Sequence, residues 1–344
     1  MMFNYLYRKT SLLLFISFGI TAFAFSLYYL FPGDLLTNMT GITNITEENY
    51  QFLADKYKIN ESIITQYLAF LERLYQGDWG VSINTGDSIY QLIFNLLPAT
   101  IELALYALIY SFIVAIPFGV LSASESHPWL DKGILSLSLI GFSMPIFWLA
   151  LIITFIFSIS LGWFPTSGRL SLVYDIPPET GFILIDILIS DVPYKAEAFS
   201  DALEHLAIPT FVLAAYPTTV LIRSTRQSMK SVMQKSYIKA ARAKGLSTWQ
   251  VLKRHGLRNG LLPVIQTLGI HFGTLITLAM VTEVIFAWPG LGALLVDAIH
   301  QRDFTTIQGG LLVISALVFL ATILFDVLYM IFDPLARIRG HGKI

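Results

Sequence analysis

Six stretches of this chain contain no Asp, Glu, Lys or Arg, and together they leave little room for a soluble fold. They are 10–33, 103–124, 133–168, 205–222, 259–282 and 304–325, of 24, 22, 36, 18, 24 and 22 residues. A helix needs roughly 20 apolar residues to cross the hydrocarbon core of a bilayer. Six spans is the economical count, so an all-α, polytopic membrane fold is expected. Composition agrees: 13% of residues are charged, against about 25% in soluble domains. With 22 Lys+Arg against 23 Asp+Glu, the chain is no globally basic nucleic-acid binder. The absence of cysteine excludes a disulfide framework, a Cys-ligated zinc site and a thiol nucleophile. There is also no P-loop, since Gly340-His341-Gly342-Lys343 only echoes one. No cofactor site is expected on this chain.

The third window is too long for one straight span and too short for two with a loop. Gly141 and Pro145 predict a kinked helix over 134–161, with Gly162-Trp163-Phe164-Pro165 at the interface where tryptophan is favoured. Sixteen basic residues fall on one side and six on the other if the N-terminus is inside. The positive-inside rule then puts both termini in the cytoplasm. The expected divisions are an N-terminal transmembrane helix (1–31), an outer insertion (32–97), a core of five further spans (98–335) and a cytoplasmic tail (336–344). Arg8-Lys9 and Ala22-Phe23-Ala24 superficially fit a signal peptide. The apolar run continues through Phe31, however, which favours an uncleaved anchor.

In the outer insertion, Asn60 and Ser62 precede a helical stripe of Ile64, Tyr67, Leu68, Leu71, Leu74 and Tyr75, closed by Gly77. Such a stripe packs onto neighbouring protein more often than it carries a site. The sequons at Asn38, Asn44 and Asn60 are read as chance in an Asn/Thr-rich loop. Both outer loops are acidic, with eight acids against three bases over 32–97 and seven against two over 162–204. That excess either draws cationic solutes or mirrors the positive-inside bias.

The inner segment 223–262 says most. It holds ten Lys/Arg and no acid. Residues 231–244 read as an amphipathic helix that Gly245 breaks. Ser247 and Gln250 then form a capping box for a second helix, and Leu262-Pro263 opens the fifth span. Two short helices around a glycine make a knob for a cytoplasmic partner. Binding of anionic lipid competes with that reading, and nucleic acid is disfavoured beside a membrane.

These residues resemble a known family. Lys239-Ala240-Ala241-Arg242-Ala243-Lys244-Gly245 with Leu262-Pro263 is similar to the EAA loop of binding-protein-dependent ABC transporter permeases. Lys239 replaces the leading acid and the spacing to Leu262-Pro263 is longer, both as in the dipeptide/oligopeptide/nickel branch. Gly77-Asp78-Trp79-Gly80-Val81-Ser82, Pro98-Ala99-Thr100-Ile101-Glu102-Leu103 and Gly141-Phe142-Ser143-Met144-Pro145-Ile146-Phe147-Trp148 resemble that branch too. So do Gly162-Trp163-Phe164-Pro165-Thr166-Ser167-Gly168-Arg169 and Glu283 with Phe286-Ala287-Trp288-Pro289-Gly290-Leu291-Gly292. Within the branch, Thr180-Gly181-Phe182-Ile183-Leu184-Ile185-Asp186 and Ser190-Asp191-Val192-Pro193 resemble permeases of the Sap (sensitivity to antimicrobial peptides) system.

The resemblance implies the type I importer permease fold in a bacterial inner membrane. It also implies a second homologous permease, two cytoplasmic ATPases carrying ATP and Mg, and a periplasmic peptide-binding protein. Lys239, Ala240, Ala241, Gly245, Leu246 and His255 would then form the ATPase-coupling loop. Peptides, including cationic antimicrobial peptides, are the implied substrate, with putrescine export as the alternative. A non-transporting structural subunit is the rival class.

Ionisable groups and breaks within spans are the remaining candidates. Glu102 is expected at the outer start of the second span, as a possible helix cap. Glu283 would gate or bond helix to helix. Gly141, Ser143, Pro145, Pro289 and Gly290 are hinge or pore candidates. His271 lacks a partner at metal-ligand spacing, which favours a hydrogen-bonded packing role, and Asp326 would face the cytoplasmic side.

Overall fold

A computed structural model describes residues 2–123 and 128–332, so the tail expected at 336–344 lies outside the described residues. The chain runs through α1 (Met2–Leu30), α2 (Leu35–Thr40), α3 (Glu47–Tyr57), α4 (Ile63–Gln76) and α5 (Ile89–Ala123). Next come α6 (Pro128–Ser143), α7 (Ile146–Thr154), α8 (Ile183–Ile189), α9 (Lys195–Met233) and α10 (Ser236–Ala243). The last are α11 (Thr248–Val251), α12 (Leu257–Gly260), α13 (Leu262–Ile285), α14 (Leu291–Gln301) and α15 (Phe304–Phe332). Wider π-helical turns follow α7 (Phe155–Ser160) and α11 (Leu252–Gly256). Among the described residues there is no strand, only an isolated bridge between Val81 and Ser88. Among the described residues, four helices are long and apolar enough to cross a bilayer: Ile89–Ala123, Lys195–Met233, Trp249–Ile285 and Phe304–Phe332. The bent pair of α6 and α7 makes a fifth.

By packing, the described chain forms two compact units. The first is everything up to Pro98 with Gly290–Leu317, and the second is Ala99–Pro289 with the chain from Val318 onward.

In the first unit, Ala24, Phe25 and Tyr28 of α1 meet Leu36 and Met39 of α2, Tyr57, Phe70 and Leu312 in one core. Asp303 caps α15 and ties it to the 80s loop. It accepts from the Ser82 hydroxyl at 2.5 Å, Ile83 N at 3.2 Å, and Thr306 N and Oγ1 at 3.2 and 2.9 Å. Gly41 has φ +79°, and a Cβ there would sit 1.7 Å from the Val81 carbonyl, so only glycine fits. Burial pushes the Tyr57 phenol above its ordinary pKa, and the Arg73 guanidinium, 3.8 Å above the ring, pulls against it.

The expected α4 stripe is only half inside. Tyr67, Leu71 and Leu74 pack on the core, while Ile64, Leu68 and Tyr75 are exposed. Gln66 and Arg73 are buried instead, Arg73 against the Tyr57 ring. Gln66 donates to the Ile59 and Glu61 carbonyls, both at 3.0 Å.

In the second unit, α9 is the axis. Leu221 and Ile222 pack with Ala115 of α5 and with Val264 and Leu268 of α13. Ile208 and Val212 pack with Ala150 of α7 and Phe286. Three expectations change here. The kink at Pro145 is a 102° break, because proline lacks the N–H to continue α6 and forces the preceding residue toward extended backbone. The helix expected over 231–244 is two helices, since Lys235 is extended (φ −67°, ψ 150°) between α9 and α10. Glu102 does not start a helix: α5 begins at Ile89, more than three turns earlier.

Candidate coupling helix and translocation surface

The knob around Gly245 is built by local capping. Its α10 ends in a Schellman closure, with Gly245 N donating to the Arg242 carbonyl at 2.9 Å and Leu246 N to the Ala241 carbonyl at 3.3 Å. Gly245 has φ +85°, and a Cβ there would meet nothing within 4 Å, so its requirement is conformational and not steric. The capping box closes as expected, with Ser247 N to Gln250 Oε1 at 2.9 Å and Gln250 N to Ser247 Oγ at 3.3 Å. Val232, Ile238, Ala241 and Val251 form the core beneath, flanked by Met233 and Leu246.

Burial therefore sorts the coupling candidates. Lys239, Ala240 and Gly245 are exposed, Leu246 and His255 are half-buried, and Ala241 faces the core. Tyr237 and Trp249, exposed aromatics that motif reading passed over, share the outer surface with them. The Tyr237 ring lies 6.3 Å from that of His255. Gly260 lets the next helical turn close on α9, since a Cβ there would stand 2.4 Å from Met229 Sδ.

One turn and two turns before its end, α9 holds α6. Arg226 makes two bonds of 2.6 Å to Asp131, Lys230 Nζ lies 3.3 Å away, and the Ser122 hydroxyl donates at 2.5 Å. The bidentate fork fixes angle as well as distance. Nearby, Gly119 lets α5 approach α9: a Cβ would be 2.6 Å from Thr225 Cβ.

Along the break, Ser143 and Pro145 line an open cavity of about 610 Å³ with Leu139, Ile140, Met144, Phe147 and Trp148. Gly141 lines a second, of about 520 Å³, between α5, α6, α7 and α9. Both walls are mostly apolar. Thr219 Oγ1 donates to the Ser138 carbonyl at 2.9 Å, and Thr218 Oγ1 to Ser111 Oγ at 3.1 Å. Tyr216 stacks on Phe142 and its hydroxyl bonds His271 Nδ1 at 2.8 Å, the packing role expected for that histidine.

At the other end of the unit, Glu102 is fully buried and bound by Arg169, whose Nε lies 3.0 Å from Oε2 and whose Nη2 also reaches it. The same Nη2 donates to the Gly181 carbonyl at 2.6 Å, and the guanidinium lies 5.5 Å from the Trp288 ring. Leu184 N lies 3.5 Å from Glu102 Oε1, so this carboxylate does meet a helix N-terminus, that of α8. Glu102 and Arg169 sat in separate motifs, and nothing in the sequence paired them. Trp288 Nε1 donates to the Ala99 carbonyl at 3.0 Å, beside Ala287 at φ +47°. Glu283 is fully buried in α13. Pro289 closes this unit, and Gly290 belongs to the other as the cap of α14.

Spanning helices, one of them broken, and a polar two-helix knob define a multi-pass membrane protein of the permease type. The chain belongs to the binding-protein-dependent transport system inner membrane component family, whose description matches residues 115–338. The N-terminal component of such systems matches residues 2–104. It is 40% identical to a di/tripeptide transport system permease protein of Pseudomonas aeruginosa, over 98% of this chain and 99% of that one. It is 42% identical to a peptide transport system permease protein of Salmonella typhimurium, over 80% and 85%. It is 41% identical to a putrescine export system permease protein of Escherichia coli, again over 80% and 85%.

Proposed function

We propose that this chain is the permease subunit of an ATP-driven peptide transporter, working by alternating access in a bacterial inner membrane. The observation that carries the substrate class is the end-to-end match to a di/tripeptide permease. The putrescine-named relative matches a smaller share of the chain and gives that reading less support. Cationic antimicrobial peptides are included among the substrates because of the Sap resemblance. In the full arrangement α1 is the sixth span, 32–97 is an outer insertion and both termini are cytoplasmic.

The knob around Gly245 takes the push of an ATPase pair that carries ATP and Mg. A rigid α9 passes it to the Asp131–Arg226 junction and so to the break at Pro145. A second permease completes the path and a periplasmic binding protein delivers the peptide. Basic residues on the knob steer docking and add little affinity.

The test is purification from native membranes in mild detergent, wild type beside Gly245→Pro, with co-purifying chains identified. A second permease and two ATPases lost selectively in the variant support the assignment. A chain recovered alone, or partners indifferent to the variant, returns it to a structural subunit. ATP-dependent transport of labelled dipeptide and putrescine by the recovered complex then decides the substrate.

A further inference from the structure

We infer that α4 is an interfacial helix, seated along its exposed apolar face in the outer leaflet of the bilayer and not standing in the periplasmic solvent. This rests on the proposed reading of α1 as a span whose C-terminal end is outside.

The contacts between α4 and α1 give the helix a depth and a direction. Gln66 accepts a hydrogen bond from the Tyr29 hydroxyl, next to the outer end of α1. Its neighbour Tyr67 instead bonds Thr21 Oγ1 at 2.7 Å and meets the Phe18 and Phe25 rings at 5.9 and 5.5 Å. Thr21 lies about 12 Å deeper than Tyr29 at 1.5 Å per residue. Turning from Gln66 to Tyr67 is therefore turning toward the bilayer centre.

At about 100° per residue the same rotation continues through Leu71, Ile64, Tyr75 and Leu68. Three of these are the most exposed apolar side chains of α4 in that arc: Ile64 at 70%, Leu68 at 58% and Tyr75 at 94%. Arg73, on the opposite side, is roofed by Tyr57 of α3. One flank of α4 is thus held by α1 and the outer side by α3. The apolar side points toward the hydrocarbon that surrounds α1.

An amphipathic helix in this attitude buries its apolar face about 5–10 Å into the headgroup and acyl boundary. The face carries no Lys or Arg, so the attachment is apolar and not aimed at anionic headgroups. The insertion would then be fixed at a set height relative to α1, which a solvated loop would not be.

The chain has no cysteine, so single substitutions place a spin label without ambiguity. Ile64→Cys, Leu68→Cys and Tyr75→Cys would be labelled in the full chain, reconstituted in phosphatidylethanolamine–phosphatidylglycerol liposomes. Glu72→Cys and Gln76→Cys report the water-facing side of α4. Leu14→Cys and Phe15→Cys report α1. Collisions with oxygen, which partitions into lipid, are compared with those of a water-soluble nickel chelate.

The inference expects oxygen to dominate at 64, 68 and 75 and the ratio to invert at 72 and 76. Nickel dominance at 64, 68 and 75 with oxygen dominance at 14 and 15 overturns it and leaves the span reading standing. Nickel dominance at 14 and 15 as well removes the span reading and the inference together. Immobile labels at 64, 68 and 75, shielded from both reagents, mean that a protein covers the face, which also overturns it.

Discussion

Arg169→Ala tests whether the Glu102 pair holds this end of the second unit, away from the Gly245 knob, together. The carboxylate has no exposed surface, and Arg169 supplies two of its contacts while also bonding the Gly181 carbonyl. Removing the guanidinium strands a charge in the interior, which costs about 3–5 kcal/mol when one member of a buried pair is deleted. Glu102→Gln keeps the shape and leaves Arg169 its carbonyl and the Trp288 face, so about 1–3 kcal/mol is expected. Removing both charges, in Glu102→Leu with Arg169→Met, should recover most of the loss, since a packed apolar pair stands in for a buried ion pair at little cost.

The assay is thermal unfolding of the four purified proteins in one detergent, followed by tryptophan fluorescence, with limited proteolysis of residues 162–182 as a local probe. The expected order is wild type, then the double variant and Glu102→Gln, then Arg169→Ala well below. Arg169→Ala melting with wild type would refute the reasoning. So would a double variant as unstable as Arg169→Ala, because then geometry and not stranded charge sets the cost.

Three further outcomes follow from single contacts. Gly245→Val forces a β-branched residue to φ +85°, straining the knob by about 1–2 kcal/mol. It should lose co-purifying ATPases at unchanged membrane level, whereas Gly245→Asn, which tolerates that backbone, should keep them. Gly260→Ala puts a Cβ 2.4 Å from Met229 Sδ and should lower thermal stability by about 1–3 kcal/mol through overpacking. In a Met229→Ala background, which carries its own cavity cost, adding Gly260→Ala should cost little further, and an undiminished loss there would place the defect elsewhere. Pro145→Leu should reduce transport and leave the purified complex intact, and failure to assemble would make the break a packing feature.

Charge-free windows located the four long apolar helices and the broken pair because the cost of burying a charge in hydrocarbon belongs to each residue and needs no partner. They misjudged lengths for the same reason. A helix does not stop at a charged residue, so α9 runs from Lys195 to Met233 around a window of 205–222. Cap chemistry was equally local, and Gly245, Ser247 and Gln250 close as their sequence indicates. The knob's inside and outside were not legible: Ala241 and Leu246 look like contacts in a motif, and the Schellman closure turns both toward the core. Pairings across the chain were hidden as well, since Glu102 meets Arg169 and Asp131 meets Arg226 only after the helices pack.

The α4 stripe exposes a deeper limit. Its period announced a helix with an apolar side, yet only half of that side packs on protein and the other half is open. In water, apolar period and burial in protein go together, because water rejects only the apolar face. Beside a bilayer that inference fails, since lipid tails are as apolar as a core and supply no drive to bury leucine in protein. Periodicity then says only that a face avoids water. Tyr67 reaching Thr21 while Gln66 reaches Tyr29 supplies the missing direction, which is why the open face could be assigned to lipid only after the packing was known.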